Sequence, residues 1–216
     1  MLILDELNRA DLSRAFGEAF SVLEDRESAV ELPGAEPGEQ TATLSLPADL
    51  YVIGTMNLID QSLEQVDFAL RRRFLWVRSG FDPQRLADVL PQLWGKTETA
   101  GRHSWSRIEE DAELFKARAE LLNEHIADSA MLGRDYEIGH TYFFDVVGLL
   151  SRADHLHRKH RPRRYLWSAK REALQPVIDL WAMSLEPLLD QYLQGVDADA
   201  RRTELGHLRR VFLQGE

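Results

Sequence analysis

The chain has 216 residues, a formal net charge of −10 and no cysteine. This length can bury one sizeable core, or a small α/β part and a helical part. The lack of cysteine excludes disulfides and thiolate metal sites, and it makes the reducing cytoplasm the expected location. Because the net charge is negative, any contact with DNA would need a local basic patch or a separate domain. No apolar run reaches the ~18 residues that a membrane span requires.

Three short apolar runs in the first 79 residues predict β-strands. They occupy residues 2–4, 50–55 and 74–77. Short apolar runs without polar alternation are typical of strands that are buried on both faces of a parallel sheet. We therefore predict that these runs are strands of a parallel sheet.

Helical and hairpin patterns lie between these runs. Asp11 is a candidate N-cap for a helix whose apolar residues recur at helical spacing as far as Leu23. A Pro- and Gly-rich stretch at residues 33–38 precedes an alternating arm at residues 41–46, which predicts a hairpin. A second helical stretch covers residues 63–70. The order strand, helix, hairpin, strand, helix, strand indicates a parallel α/β sheet.

The pattern becomes helical after Gly80. Apolar residues recur every three or four positions along residues 108–126 and again along residues 177–192, where Pro176 and Pro187 mark helix starts or kinks. The second apolar stripe consists of Val177, Trp181, Leu185, Leu188 and Tyr192. The predicted organisation is an α/β part, a helical domain and a polar C-terminal tail, at residues 1–79, 80–195 and 196–216.

The first predicted strand delivers two adjacent carboxylates, Asp5 and Glu6, to its C-terminal end. Charges at the edge of a core persist when they coordinate a ligand or accept hydrogen bonds, and ligands of open α/β sheets bind at that edge. Phosphoryl transfer needs an acid that holds Mg²⁺, usually through water, and a group that orients the attacking water. Asp5 and Glu6 suit these two roles. The alternative is a strand that simply ends in solvent.

Polar residues also follow the second strand and precede the third. Asn57 and Asp60 come after the second strand, where an amide could contact a γ-phosphate or position its water. The alternative there is an ordinary turn. The third strand is preceded by Arg71, Arg72 and Arg73. An arginine at this place could reach a phosphate on a neighbouring subunit as an arginine finger, and the alternative is a solvated charge run.

The spacing of these features resembles one protein family. The segments LILDELNRADLSRAFGEAFSVLEDR and LYVIGTMNLIDQSLEQVDFALRRRF are similar to the McrB branch of AAA+ proteins. There a Walker B strand continues as D-E-I-N-R-A, a sensor strand ends G-T-M-N-x-x-D, and a D-x-A-L-R-R-R-F segment follows. Residues 136–143 and 186–193 are similar, more loosely, to the family's I-G-H-S-Y-F and P-L-L-x-E-Y-F lid segments. The resemblance implies the C-terminal part of an AAA+ P-loop NTPase parallel sheet, followed by an all-α lid domain.

The resemblance implies roles for single residues at the strand ends. Asp5 would be the Walker B acid, which binds Mg²⁺ through water. Glu6 would activate the attacking water. Asn57 would be the sensor 1 residue, and Asp60 would complete the N-x-x-D element beside the nucleotide.

The resemblance also implies roles at the subunit interface and in the lid. One or two arginines of the triplet 71–73 would act on the nucleotide of a neighbouring subunit. Asn8 and Arg9 would line the same interface or support the loop. His140 would approach the nucleotide from the lid.

The glycine-rich phosphate loop G-x-x-x-x-G-K-[ST] does not occur in these 216 residues. In the family, the strand before that loop lies between the second and third strands predicted here. Without it, residues 51–55 and 74–77 would have no shared neighbour, and their backbone edges and apolar faces would be exposed. We therefore expect the isolated chain to be poorly stable, or to be one piece of a longer or split protein. Hydrolysis is expected only within a complete AAA+ domain.

The function that the resemblance implies is that of a motor subunit that hydrolyses GTP or ATP with Mg²⁺. The subunits would form a homo-oligomeric ring, expected to be a hexamer. In the family, hydrolysis drives DNA translocation and restriction together with a McrC-like nuclease, and DNA is bound through the assembly or through an upstream domain. Two alternatives stay open. One is a non-catalytic assembly subunit that binds no nucleotide, and the other is a MoxR-like ATPase that remodels proteins.

Two further sets of residues are not assigned to a site. Trp94, Trp105, Trp167 and Trp181 lie at helical or helix-end positions and are predicted to belong to the core rather than to a base-stacking platform. The histidines between residues 155 and 160 lie among arginines and a lysine. Because these cations would repel a metal ion, a solvated loop is predicted there.

Overall fold

A computed structural model describes residues 1–9, 17, 19, 21–32, 41–57, 59, 71–101, 103–156 and 164–215. The chain divides into two compact units, Met1–Arg78 and Ser79–Glu216, which are named here the N-terminal unit and the helical unit. Some predicted features lie outside the described residues: the cap Asp11, the hairpin tip at 33–38, Asp60, the helix at 63–70, and His157 and His160.

Short strands form two small sheets in the described part of the N-terminal unit. They are β1 (Leu2–Leu4), β2 (Val30–Glu31), β3 (Thr43–Leu44) and β4 (Val52–Gly54). β1 and β4 pair in parallel, whereas β2 and β3 pair antiparallel as the two arms of a hairpin. The parallel α/β sheet and the hairpin that the sequence predicts are therefore confirmed in these segments.

The first strand is not buried on both faces as its apolar run predicts, whereas the exposed apolar face expected for residues 51–55 without the phosphate-loop strand is present. Leu2 is 42% exposed, Ile3 is 58% exposed and Ile53 is 49% exposed. Each of β1 and β4 has a single strand neighbour among the described residues. Apolar side chains on a pleated pair stay in solvent where no further layer covers them.

The predicted third strand at residues 74–77 was also wrong. This segment has no strand hydrogen bonding, and Leu75 is 92% exposed. The indole Nε1 of Trp76 instead donates to the carbonyl of Arg71 at 2.8 Å, and the Arg71 guanidinium lies 5.4 Å from the centre of the indole ring. A strand satisfies its backbone through a partner edge, and no such edge lies beside residues 74–77 in the part of the chain that is described.

The described core of the N-terminal unit centres on Leu7, which follows β1. Leu7 is buried against the partly buried side chains of Leu4, Leu23, Met56 and Phe74. The close approach depends on Gly54, because a Cβ atom there would lie 2.0 Å from the Cδ1 of Leu7. A glycine at the end of β4 thus lets the chain after β1 pack on the sheet.

The described part of the helical unit contains α1 (Pro83–Gly95), α2 (Glu109–Asp128), α3 (His140–Leu156), α4 (Gln175–Leu180), α5 (Glu186–Tyr192) and α6 (Ala198–Leu213). A π-helical turn, Trp181–Leu185, joins α4 to α5. The Asp82 side chain caps α1 by accepting the amide of Gln84 at 2.9 Å, and Pro83 opens the helix, where its missing N–H costs nothing. Among the described residues, no helix combines the length and the apolar character that crossing a membrane would need.

These helices share one hydrophobic core. α2 packs against α1 and α6, and α3 packs against α1 and α4. The rings of Phe115, Phe143 and Phe212 meet with centres about 6 Å apart. The four tryptophans belong to this core as predicted: Trp94, Trp167 and Trp181 are buried, and Trp105 packs against it partly buried.

The prediction of a polar tail at residues 196–216 was wrong. Residues Ala198–Leu213 form α6, and four of its last residues are buried: Leu208, Val211, Phe212 and Leu213. Asp197 starts the helix by accepting the amides of Asp199 and Ala200 at 3.0 and 3.2 Å. The segment contains four arginines, but its apolar residues repeat at helical spacing and lie on one face, so the helix docks onto α2.

The second apolar stripe keeps a strict interval of four residues. The fully buried positions are Val177, Trp181, Leu185, Leu189 and Leu193. The sequence predicted Leu188 and Tyr192 for the last two, and these residues are only partly buried against the core. The π-helical turn accounts for the shift, because it adds a residue to one turn of the helix. Pro176 and Pro187 lie in the first turns of α4 and α5, as predicted.

Candidate functional site

The parallel pairing of β1 and β4 brings Asp5 and Thr55 side by side. Leu4 lies opposite Gly54 in the register, so the next residue of each strand is adjacent across the sheet. The hydroxyl of Thr55 donates a hydrogen bond to Oδ1 of Asp5. Asp5 is exposed at the carboxyl end of the strand pair, the end at which open α/β sheets bind their ligands.

Glu6 has a left-handed backbone conformation with φ 54°. Its amide donates to the hydroxyl oxygen of Thr55 at 3.1 Å, and its carboxylate pairs with Nε of Arg9 at 2.7 Å. A left-handed conformation at a residue other than glycine costs roughly 1 kcal/mol, so the surrounding hydrogen bonds must maintain it. The side chains of Glu6 and Arg9 both remain about half exposed.

Asn8 links the turn after β1 to the turn after β4. It is buried, and its Nδ2 donates to the carbonyl of Asn57 at 2.8 Å. Its Oδ1 has no hydrogen-bond partner among the described residues. The side chain of Asn57 accepts the amide of Ile59 at 3.2 Å, as in an Asx turn. Asp5, Glu6 and Asn57 therefore lie around the same end of the strand pair, as the sequence predicted.

The three arginines differ in their surroundings. Arg73 is largely covered and pairs with Glu24 at 3.0 Å. Arg71 and Arg72 are exposed, and Arg71 contacts the ring of Trp76. The guanidinium of Arg73 is thus engaged inside the N-terminal unit, whereas the other two lie at its surface.

His140 lies at the start of α3 in the helical unit and fixes the entrance of α1. Its Nε2 is 2.8 Å from the amide nitrogen and 3.0 Å from the carbonyl oxygen of Asp82. Its ring stacks on Phe81 with centres 5.2 Å apart. Glu137 accepts the amide of Phe81 at 3.2 Å, so the segment that resembles I-G-H-S-Y-F holds the residues before α1 in place.

Sequence reasoning missed two buried polar residues that organise the helical unit. Oδ2 of Asp111 accepts the amides of Tyr165 and Leu166 at 2.6 and 2.9 Å. Asn123 accepts the amide of Ile138 at 2.6 Å and donates to its carbonyl at 3.3 Å. The signal was present in the sequence, because a polar residue on the apolar side of a long helix needs a partner.

The strand-end carboxylates fit a magnesium ion. No three His, Asp or Glu side chains cluster as a self-contained metal site in the described ranges. Mg²⁺ keeps several waters and takes only one or two carboxylates together with substrate phosphates. Asp5 is exposed, and Thr55 engages one of its oxygens. The other carboxylate oxygen is of the donor type that Mg²⁺ prefers.

Comparison with known families defines the class. The family AAA domain (dynein-related subfamily) matches residues 1–74, and the family of the McrB alpha-helical lid domain matches residues 115–201. Asp5, Glu6 and Asn57 lie in the first match, and α3 to α5, with α2 from residue 115 onwards, lie in the second.

The particular branch follows from a relative. The chain is 36% identical over 149 residues to the Type IV methyl-directed restriction enzyme EcoKMcrB subunit of Escherichia coli (strain K12). The match covers 66% of this chain and 30% of that protein, so the chain spans less than a third of its relative. The chain belongs to the McrB-type branch of the AAA+ proteins.

Proposed function

We propose that this chain forms part of a McrB-like AAA+ motor subunit that hydrolyses GTP or ATP with Mg²⁺. The observation that carries the proposal is the convergence of Asp5, Glu6 and Asn57 at the carboxyl end of the β1–β4 pair. Exposed carboxylates and an amide at such an edge are the groups that phosphoryl transfer requires. The match of the AAA domain to the same residues supports it.

Each group at the strand ends has one role in this proposal. Asp5 would hold the water shell of Mg²⁺, and the bound ion would neutralise charge on the phosphates. Glu6 orients the attacking water and accepts its proton, once its carboxylate leaves Arg9. Asn57 contributes its amide to the γ-phosphate or the water. Asp60 and His140 are proposed as further contacts to the nucleotide.

The arginine finger is assigned to Arg71 or Arg72. Both are exposed, whereas Arg73 pairs with Glu24 within the N-terminal unit. An arginine that acts on a neighbouring subunit must have its guanidinium at the surface. Replacing Arg71 or Arg72 should therefore lower the rate of hydrolysis more than replacing Arg73 does, provided that the Arg73 variant folds.

The assembly is proposed to be a homo-oligomeric ring, expected to be a hexamer, in the cytoplasm. By analogy with its relative, which is a subunit of a restriction enzyme, it would act on DNA with a McrC-like nuclease. The match to the McrB lid supports this restriction role over that of a MoxR-like remodelling ATPase. These 216 residues contain no glycine-rich phosphate loop, so the cradle for the phosphates would come from another segment or chain.

The test is Glu6→Gln in the full natural protein that carries these residues. The variant should bind nucleotide like the wild type and hydrolyse it at least ~100-fold more slowly, because the base is lost. Glu113→Gln is the matched control, since Glu113 is an exposed glutamate that pairs with Lys116 in a surface ion pair. Normal turnover in the Glu6 variant would remove this residue from the mechanism.

A second candidate is a non-catalytic assembly subunit that lends its arginines and lid to neighbours. Such a subunit would bind no nucleotide itself, and these 216 residues hold no phosphate loop of their own. Sequencing the DNA upstream of the Met1 codon separates the two. An in-frame segment with a Gly-Lys-Ser or Gly-Lys-Thr loop supports the motor subunit, whereas an adjacent in-frame stop codon supports the assembly subunit.

A further inference from the structure

The amide, carbonyl and hydroxyl groups of Thr55 all form hydrogen bonds with Leu4, the last residue of β1, and the three residues that follow it. Its amide donates to the carbonyl of Leu4 at 2.9 Å, and its carbonyl accepts the amide of Leu7 at 2.8 Å. Its hydroxyl oxygen accepts the amide of Glu6 at 3.1 Å, while the hydroxyl hydrogen is donated to Oδ1 of Asp5. One side chain thus contacts both members of the acidic pair.

An apolar side chain of the same shape could not provide the hydrogen bonds that the Thr55 hydroxyl forms at this position. Glu6 is held at φ 54°, and the hydroxyl supplies the partner for its amide. Without that partner the left-handed conformation loses a hydrogen bond that offsets its cost, and the direction of the Glu6 side chain is no longer fixed.

The same hydroxyl fixes the other acid. A donor to Oδ1 of Asp5 restricts rotation of the carboxylate and leaves its second oxygen for the water shell of a cation. Groups that orient a metal-binding carboxylate in this way act on metal affinity and on activity without touching the metal.

We propose that Thr55 is a positioning residue that aims the carboxylates of Asp5 and Glu6 at the nucleotide-bound magnesium and the attacking water. This role rests on the function proposed above. It predicts a defect in hydrolysis and in the magnesium requirement, rather than in binding of the nucleotide.

The experiment compares Thr55→Val, Thr55→Ser and Glu6→Gln in the full natural protein. Hydrolysis is measured as kcat and KM for the nucleotide, and again as a function of magnesium concentration. Thr55→Val should lower kcat by roughly 10- to 100-fold and raise the magnesium concentration at half-maximal rate, while KM for the nucleotide stays within about 2-fold. Thr55→Ser keeps the hydroxyl and should restore both values to within about 3-fold.

The matched control is Thr43→Val, which removes the hydroxyl of an exposed threonine on β3 in the same unit. It should leave kcat and the magnesium dependence unchanged. A Thr55→Val protein with wild-type kcat and magnesium dependence, beside an inactive Glu6→Gln protein, would overturn the positioning role alone. Normal hydrolysis by Glu6→Gln would overturn the proposed function and this role together.

A folding defect does not leave the question open. If Thr55→Val does not fold, Thr55→Cys decides, because cysteine is smaller than threonine and its thiol is only a weak donor. A raised magnesium requirement in the cysteine variant supports the positioning role, and a wild-type requirement overturns it.

Discussion

The two units bury their apolar residues in opposite ways. In the helical unit, one core cluster includes residues from all six described helices. In the N-terminal unit, the described cluster centres on Leu7, while Leu2, Ile3, Ile53 and Leu75 are exposed to solvent. Helices satisfy their own backbone and need only cover one another, whereas strands need partner edges as well as cover. The difference suggests that the helical unit is self-sufficient and that the N-terminal unit depends on additional structure.

Producing the two units as separate proteins should give the largest difference between them. Residues 79–216 alone should unfold in one cooperative thermal transition, because their apolar residues are already covered. Residues 1–78 alone should show none. Far-UV circular dichroism during heating measures both. A sharp, reversible transition in residues 1–78 would mean that the N-terminal unit is also self-sufficient.

Truncating a buried and an exposed apolar residue should give the next largest difference. Phe212→Ala should lower the free energy of unfolding by about 4 kcal/mol, because it opens a cavity among Phe115, Phe143 and Trp181. Leu75→Ala, at a residue that is 92% exposed, should change it by less than about 0.5 kcal/mol. Urea unfolding followed by tryptophan fluorescence measures both values. A loss below about 1 kcal/mol for Phe212→Ala would restore the interpretation of this segment as a tail.

Asp111 and Glu110 both pair with Arg164, so their variants compare the loss of a buried acid with the loss of an exposed one. Asp111→Ala should cost about 3 kcal/mol, because the amides of Tyr165 and Leu166 lose their acceptor inside the protein. Glu110→Ala removes an exposed partner of the same guanidinium, 2.9 Å away, and should cost less than about 0.5 kcal/mol. Urea unfolding at neutral pH is the measurement. Equal losses in the two variants would contradict the assigned role of the buried acceptor.

The smallest expected effect is a dependence on alkaline pH. Burial, with smaller contributions from Tyr142 and Tyr136, raises the pKa of Tyr192 to about 12 from its ordinary value of 10.0. The folded protein therefore keeps this proton when the unfolded chain has lost it. The resulting stability is complete below pH 10.0 and is lost as the pH rises towards about 12.

The magnitude is small because the Tyr192 side chain is partly exposed. We expect it to contribute about 1 kcal/mol across this window, less than the full shift would give in a dry interior. Tyr192→Phe should remove that part of the pH dependence of the free energy of unfolding. Tyr51→Phe, at a tyrosine that is 72% exposed, is the control and should leave it unchanged. Parallel pH profiles for the wild type and Tyr192→Phe would show that the tyrosine does not contribute.

The polar groups at the ends of β1 and β4 could be predicted because they closely follow apolar runs in the sequence. Asp5 and Glu6 end one apolar run, and Asn57 follows the other. The hydrogen bond from Glu6 to Thr55 joins residues 49 positions apart, and the left-handed backbone of Glu6 follows from it. Neither has a local pattern, because both depend on the register of the two strands.

Composition misled the prediction where a few apolar positions decide the structure. The C-terminal segment is rich in arginine, yet Leu208, Val211 and Phe212 suffice to dock α6. For residues 74–77 the local pattern was that of a strand, but strand formation also depends on a partner edge that no local pattern supplies.

The π-helical turn at Trp181–Leu185 has a consequence for how this helix tolerates insertions and deletions. In an ideal α-helix each step of four residues advances about 40° beyond a full circle, so five buried positions at that interval would spiral away from the core. The wider turn reduces the rotation per residue and so returns Leu189 and Leu193 to the buried side. A deletion of one residue within it would return the helix to regular α geometry and leave Leu189 and Leu193 on the buried side, whereas a deletion in a regular turn would rotate the residues that follow by about 100°. At this position a local irregularity of the backbone is what keeps the long-range packing aligned.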